Sequence, residues 1–404
     1  MIFKLILLLA LGAFGFGAAA SLYYQNQERE CGGDISNLWL EVVIVVDNSN
    51  GMLNKNLDAI AANIATIFGK IKLIGEHYKG VKGVDERSTR VALVTYNQNA
   101  SVAFNLDHFQ SAEALEDGIF ESLSQVSSTE TSYVATGLGA AEIMFKAHNT
   151  DRRQNFRKVV IVYASTYKGA GALNPVPVAK RLRTDGVQII TIGYSTSVDS
   201  ALIVDLGKLA SKETSFSNKD LNLNQKIERA LTQANCHCPN EFKQYRQDYN
   251  DKDSSKFGTC LLAVSTPANR RSAANACQRK GSDTYLANEY TKHKHDFVAT
   301  LAQETLKQPL QYFIGLQKSE NKWYWDQPKN VAPKALDGNY VNWMPKFPNT
   351  YDPSMTAVWN YGSSADNVMW ENASPMEATG YVCEKLACDT DNYCEPEAEN
   401  ISQD

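Results

Sequence analysis

Three short groups of residues have the types and spacing to do chemistry in this 404-residue chain. Asp47-Asn48-Ser49-Asn50-Gly51 sets a carboxylate two residues before a hydroxyl, hard oxygens of the kind that hold Mg²⁺ at about six positions. Asn349, Glu371 and Asn372 carry amide and carboxylate oxygens in a stretch dense in turn residues and tryptophan. Cys236-His237-Cys238-Pro239 sets two thiols around an imidazole. The chain contains no Gly-rich phosphate loop and no His-Glu-x-x-His. His108, His148, His237, His293 and His295 fall in helices or polar loops with no recognisable partner motif, so surface or structural roles are the better reading. The chain reads as no enzyme.

The elements that must position these groups follow two grammars. From about residue 39 to 234 buried strands alternate with helices. Residues 40–46 are apolar on both faces, as a strand covered on each side must be. Leu57, Ile60, Ile64, Ile67, Ile71 and Ile74 then lay one apolar stripe along a helix. Strands at 90–96, 158–164 and 187–193 and helices at 137–148, 177–184 and from about 199 and 223 repeat the unit. This predicts an α/β, doubly wound, mostly parallel sheet whose crevice lies beyond the strand C-termini, where Asp47 sits. After residue 238 the alternation stops, tryptophans cluster and turn residues become dense.

Composition narrows the setting. A net charge of −5 gives no excess of positive charge for a phosphate backbone, so nucleic acid is not an expected partner. Residues 1–20 have the charged start, apolar centre and small-residue end of a secretory leader, with cleavage expected after Ala20 and an uncleaved anchor as the alternative. No later run is long and apolar enough for a membrane span. A secreted, extracellular protein is expected. Its eight cysteines then suggest disulfides, and Cys-His-Cys has no second Cys/His pair at zinc spacing. Asn99, Asn372 and Asn400 head glycosylation triplets.

The Asp-x-Ser-x-Gly turn after the first strand, with Val134-Ala135-Thr136-Gly137-Leu138-Gly139, resembles the von Willebrand factor type A (vWA) domain over residues 38–235. The family's metal-ion-dependent adhesion site begins Asp-x-Ser-x-Ser. By that resemblance Asp47 and Ser49 are metal ligands, Ser132 (or Thr131) takes the threonine position and Ser165 replaces the final aspartate. Gly51 has no side-chain oxygen and one carboxylate of two remains, so the site is expected to bind Mg²⁺ weakly if at all. Without a metal, Asp47 would cap the following turn through Ser49 or Asn50 N–H.

Residues 238–386 resemble a C-type lectin-like domain, an α+β fold, on Cys238-Pro239-Asn240-Glu241-Phe242, Ala273-Ala274-Asn275-Ala276-Cys277, Tyr285-Leu286-Ala287, Phe313-Ile314-Gly315-Leu316, Trp323-Tyr324-Trp325-Asp326 and Tyr381-Val382-Cys383-Glu384. The resemblance implies disulfides Cys277–Cys383 and Cys238–Cys260, with Cys31–Cys236 across the ends of the first domain and Cys388–Cys394 in a short polar tail, residues 387–404. The family's long-loop bridge has no cysteines here, so residues 318–374 should be looser. Where the family has Glu-Pro-Asn and Trp-Asn-Asp for calcium and sugar, this chain has Phe347-Pro348-Asn349 and Trp370-Glu371-Asn372. Trp323, Trp325, Trp343 and Trp370 read as core or loop packing.

Together these resemblances imply a secreted recognition or adhesion protein that binds extracellular protein or glycan, with no obligatory cofactor and at most weak Ca²⁺ or Mg²⁺ binding. The pairing of the two domains resembles invertebrate lectin-like proteins implicated in innate defence. A calcium-dependent lectin using Asn349, Glu371, Asn372 and Asp352 or Asp366 is one alternative, and a structural matrix protein is another.

Overall fold

The computed structural model describes residues 28–75, 87–149, 153–195 and 201–394. The leader expected at 1–20 and the acceptor Asn400 lie outside them.

In the first part β1 (Leu40–Asp47) is buried at every residue, and α1 (Asn54–Phe68), β2 (Arg90–Tyr96), β3 (Ala100–Phe104), α2 (Ala112–Ser122) and α3 (Val134–Ala147) follow it. Then come β4 (Arg157–Ala164), α4 (Pro175–Thr184), β5 (Gln188–Gly193), α5 (Ala201–Gly207), β6 (Ser215–Ser217) and α6 (Leu223–Asn235). The strands form one sheet in the order β3-β2-β1-β4-β5-β6, parallel except for β3. Alternation along β1 divides the core. Val42, Ile44 and Val46 pack with α1 and α6 on one face, Val43 and Val45 with α3 and α4 on the other.

The predicted sheet is present, and β3, α2 and β6 are elements that the sequence reading lacks. The antiparallel edge β3 is absent from the sequence reading because its residues are half or fully exposed and carry no buried-strand signal. The isoleucine stripe outruns its helix. α1 ends at Phe68, and Ile71 and Ile74 are buried from a turn in which Lys72 N–H bonds Ser36 O at 3.0 Å and Ile74 bridges Thr89.

The second part comprises β7 (Lys243–Arg246), β8 (Lys256–Ala268), α7 (Arg270–Gln278), β9 (Tyr285–Leu286), α8 (Lys292–Thr305), β10 (Leu310–Ser319), β11 (Lys322–Trp325) and β12 (Lys334–Ala335). It closes with β13 (Ala357–Gly362), β14 (Met369–Ala373) and β15 (Thr379–Leu386). Its sheet runs β12-β11-β10-β15-β8-β7, with β13 and β14 branching from β10 and only β10–β15 parallel. The cysteines pair as Cys31–Cys236, Cys238–Cys260, Cys277–Cys383 and Cys388–Cys394.

The two parts meet around one residue, His237. Its N–H bonds Cys388 O at 2.9 Å, and Cys388 N–H bonds back to His237 O at 2.8 Å. The segment expected to be a polar tail is therefore corrected over its described residues. Ala387, Cys388, Asp389 and Thr390 are buried, wedged against the first sheet. Trp39 fills the wedge, stacking on Phe156, His237 and Tyr393 while its indole N–H bonds Asp389 O at 3.0 Å. Cys31 likewise does more than close the first domain. Arg29 and Glu30 run beside β8, where Gly258 N–H bonds Arg29 O at 2.7 Å and the Arg29 guanidinium pairs with Asp389 at 2.8 Å.

Truncating a buried aromatic of this size typically costs about 3–5 kcal/mol. Trp39→Ala is expected to lower stability by that order in denaturant unfolding and to open the 236–239 segment to protease. An unchanged midpoint and an uncut junction would show that the wedge does not join the two parts.

Candidate functional site

The C-terminal edge of the first sheet gathers four polar residues. Asp47 ends β1, Ser165 follows β4 and Ser132 stands two residues before α3. α3 docks close because Gly137 faces Val45 and Tyr96; an added Cβ would lie 2.5 Å from Val45 Cγ1. That approach carries Ser132 to Asp47.

Asp47 is fully buried. Its Oδ1 accepts from Ser49 N–H at 2.9 Å, the turn cap expected of a metal-free carboxylate. Its Oδ2 accepts from Ser132 Oγ at 3.0 Å, Ser165 Oγ at 2.6 Å and Ser165 N–H at 3.2 Å. Ser132 Oγ also bonds Thr166 Oγ1 at 3.0 Å. Of Ser132 and Thr131, Ser132 reaches the carboxylate. Four donors thus reach this carboxylate, three on Oδ2 and one on Oδ1, and satisfy most of its acceptor positions. Next to it, a Cβ on Gly51 would sit 3.5 Å from Ser165 Oγ and 3.7 Å from Ser49 Oγ. That is the space of the missing hydroxyl. One anion already saturated by protein donors is a poor match for a dication, which favours several charged oxygens. Among the described residues no group of three or more His, Cys, Asp and Glu side chains could hold a metal ion.

The lectin-loop candidates make hydrogen bonds within the domain, Asn349 and Asn372 with each other and Glu371 with Trp359. Asn372 is buried; its Oδ1 accepts from Asn349 N–H at 2.6 Å and its Nδ2 donates to Asn349 O at 2.8 Å and Met355 O at 3.2 Å. A glycan on that nitrogen would replace one of its two hydrogens, losing one of these bonds, and has no room at a side chain this buried. The expectation of a modified Asn372 is corrected accordingly, whereas Asn99 is exposed in the β2–β3 turn. Asn349 Oδ1 caps Tyr351 N–H at 3.0 Å, and Glu371 accepts from Trp359 Nε1 at 3.1 Å. Each oxygen holds the loop to itself.

The loop has a substitute for the absent disulfide. Trp323 stacks on Trp343 at 4.9 Å, Trp343 on Trp370 at 5.7 Å and Tyr340 on Trp370 at 5.5 Å. Trp370 Nε1 donates at 2.6 Å to the wholly buried Glu289, whose other oxygen accepts from Asn360 Nδ2 at 2.8 Å. His295 Nδ1 meets Glu289 at 2.8 Å. His295 thus has the partner that no sequence motif revealed, since the two residues come from a loop and the helix after it. Burial works to lower the imidazole's pKa, but Glu289 outweighs it and the net direction is up.

Residues 41–230 match the von Willebrand factor type A domain, and that part of the chain is a domain of this type. Over 387 residues the chain is 25% identical to C-type lectin domain-containing protein 160 of Caenorhabditis elegans, which takes in 91% of this chain and 56% of that protein. The chain therefore spans little more than half of that relative. Among solved structures, proximal thread matrix protein 1 of the mussel byssus is 22% identical over 50% of this chain and 47% of its own, with a TM-score of 0.40. The C-type lectin CEL-I of Cucumaria echinata is 15% identical over 36% of this chain and 95% of its own, with a TM-score of 0.29. The molecule is a vWA-type α/β sheet followed by an α+β C-type lectin-like fold.

Two outcomes test this chemistry. Ser165→Asp places a second carboxylate against Asp47; in EDTA the variant should melt below wild type, and millimolar Mg²⁺ should restore it, by about 2.7 kcal/mol at 100 times Kd. No rescue by Mg²⁺ would mean that charge is not what the cluster lacks. The His295–Glu289 contribution, with a folded pKa above the unfolded value near ~6.5, is fully present below that value and is lost as pH climbs through the raised one. Urea midpoints from mildly acidic to alkaline pH should therefore fall more for wild type than for His295→Gln. Parallel curves would remove the imidazolium from the account.

Proposed function

We propose that the chain is a secreted, non-enzymatic recognition or adhesion protein that binds protein or glycan ligands without an obligatory metal, in a setting of innate defence. The observation that carries this reading is that Asn349, Glu371 and Asn372 each accept a hydrogen bond from the domain itself, with Asn372 buried. What the loop offers outward is Tyr351, 96% exposed, and the β14–β15 turn offers Met376, 78% exposed. An aromatic ring that can stack on a sugar or seat against a protein is a contact surface needing no cation. Four disulfides suit an oxidising compartment, the vWA and lectin-like families are typically non-enzymatic, and among the described residues no helix is long and apolar enough to cross a membrane. Asp47 supports metal independence from the other domain, because its carboxylate is already fully hydrogen-bonded.

A glycan and extracellular-matrix array probed with and without EDTA tests the reading, alongside melting curves in millimolar Ca²⁺ or Mg²⁺. Retention should be indifferent to EDTA, melting points should not move, and Tyr351→Ser should weaken retention at unchanged stability. A melting point raised by Ca²⁺ together with EDTA-sensitive sugar binding would replace it with a calcium-dependent lectin.

A further inference from the structure

Away from both regions just described, a cavity of about 710 Å³ opens where the two parts of the chain meet. Its walls are the start of β4, the ends of α4 and α6, and the β7–β8 hairpin. Arg157 starts β4 opposite Leu40, at the far end of the sheet from Asp47. The strand between, Leu40 to Asp47, spans roughly 23 Å at about 3.3 Å per residue. The volume is that of a ligand site, about 300–1,000 Å³.

Its lining is strongly one-signed in a protein whose net charge is −5. Nine lysines and arginines face it against two carboxylates, Glu213 and Asp253. Lys226 is paired with Asp220 at 2.9 Å and Lys212 with Asp251. Arg157, Arg229, Arg246, Lys252 and Lys256 make no ion pair among the described residues. Arg157 Nε is buried with no hydrogen-bond partner. The Lys256 ammonium donates to Gln233 O and Cys236 O, both at 2.8 Å, which are neutral acceptors. Burial, with Arg246 and Arg157 nearby, pulls its pKa down to about 7. Like charges held together without an anion are destabilising, and an anion seated among them removes that repulsion.

We propose that this cleft binds a sulfated oligosaccharide. Guanidinium groups grip sulfate bidentately, while the side chains of Gln188, Ser255 and Thr184 offer the hydroxyl and amide partners that sugar hydroxyls need. A nucleic acid is disfavoured. Phe216 and Phe242 are the only Phe, Tyr or Trp rings among the described lining residues, few for stacking successive bases, and the net charge of −5 gives no extended basic track for a long phosphate chain. The proposal is independent of the metal-free recognition surface at Tyr351, and the two fail separately.

Calorimetric titration of the full chain with a heparin-derived hexasaccharide tests it. Binding should weaken steeply as salt rises, and the double variant Arg229→Glu, Lys252→Glu should lose at least tenfold in affinity with an unchanged melting point. Lys55→Glu, an exposed charge near Asp47, and Tyr351→Ser should bind as wild type. The fully desulfated hexasaccharide should not bind. Absence of binding, or equal binding by the double variant, would overturn the site. Equal affinity for single-stranded DNA of the same charge would make it a general polyanion surface, and saturation by inorganic sulfate alone would make it a simple anion site; either would overturn the glycan assignment.

Discussion

The single residue between Cys236 and Cys238 constrains this molecule more than any catalytic or metal chemistry. With one disulfide leaving toward Cys31 and the next toward Cys260, the chain cannot swing at that point. Everything nearby must then be compatible with a fixed approach of two sheets. The Arg29–Asp389 ion pair, the Trp39 indole on Asp389 O and the reciprocal His237–Cys388 backbone bonds meet that condition with buried, directional contacts. His237 itself is held neutral, since burial and the charge on Arg157 push its pKa down to about 3. Its ring therefore packs against Trp39 without bringing charge into an apolar wedge.

The sheet apex and the long loop hold their polar oxygens by the same physical means. In each, carboxylate or amide oxygens accept from neighbouring N–H and O–H groups. Asp47 takes four donors from Ser49, Ser132 and Ser165, and the Asn349–Asn372 pair exchanges backbone and amide bonds across the long loop. A buried carboxylate accepting several donors is stable without a counter-charge, so losing the second carboxylate need not loosen the sheet apex. Gly51 leaves space beside that carboxylate, between Ser49 and Ser165.

How far the sequence reveals this depends on whether a feature repeats along the chain or is assembled across it. The covered strands 40–46 and 158–164 are legible because two buried faces require uninterrupted apolar residues. Ile71 and Ile74 mimic helical spacing yet are buried from a turn, because tertiary contact rewards burial whatever the local backbone. The disulfides were legible through family resemblance, whereas their number alone admits 105 pairings. Ser165 was legible through the same resemblance, as the residue that stands where the family's final aspartate follows its strand. Nothing in the spacing of Glu289, His295, Trp370 and Asn360 foretells their meeting, since β13, β14 and α8 bring them together.

The basic cleft is the extreme of that second kind. Its cations are drawn from β4, α6, the β7–β8 hairpin and β8, and in each segment they read as ordinary solvated charge. Only the rigid junction makes them one site. Were the two parts free to pivot, Arg157 and Arg229 would move away from Arg246 and Lys256, and repulsion would relax into solvent. Held together, they keep an uncompensated field in a confined space, where charges act on one another more strongly than in open water. The disulfides that fix the approach of the two sheets therefore also set the charge density of the cleft, and its ligand preference is a property of the junction and of neither fold alone.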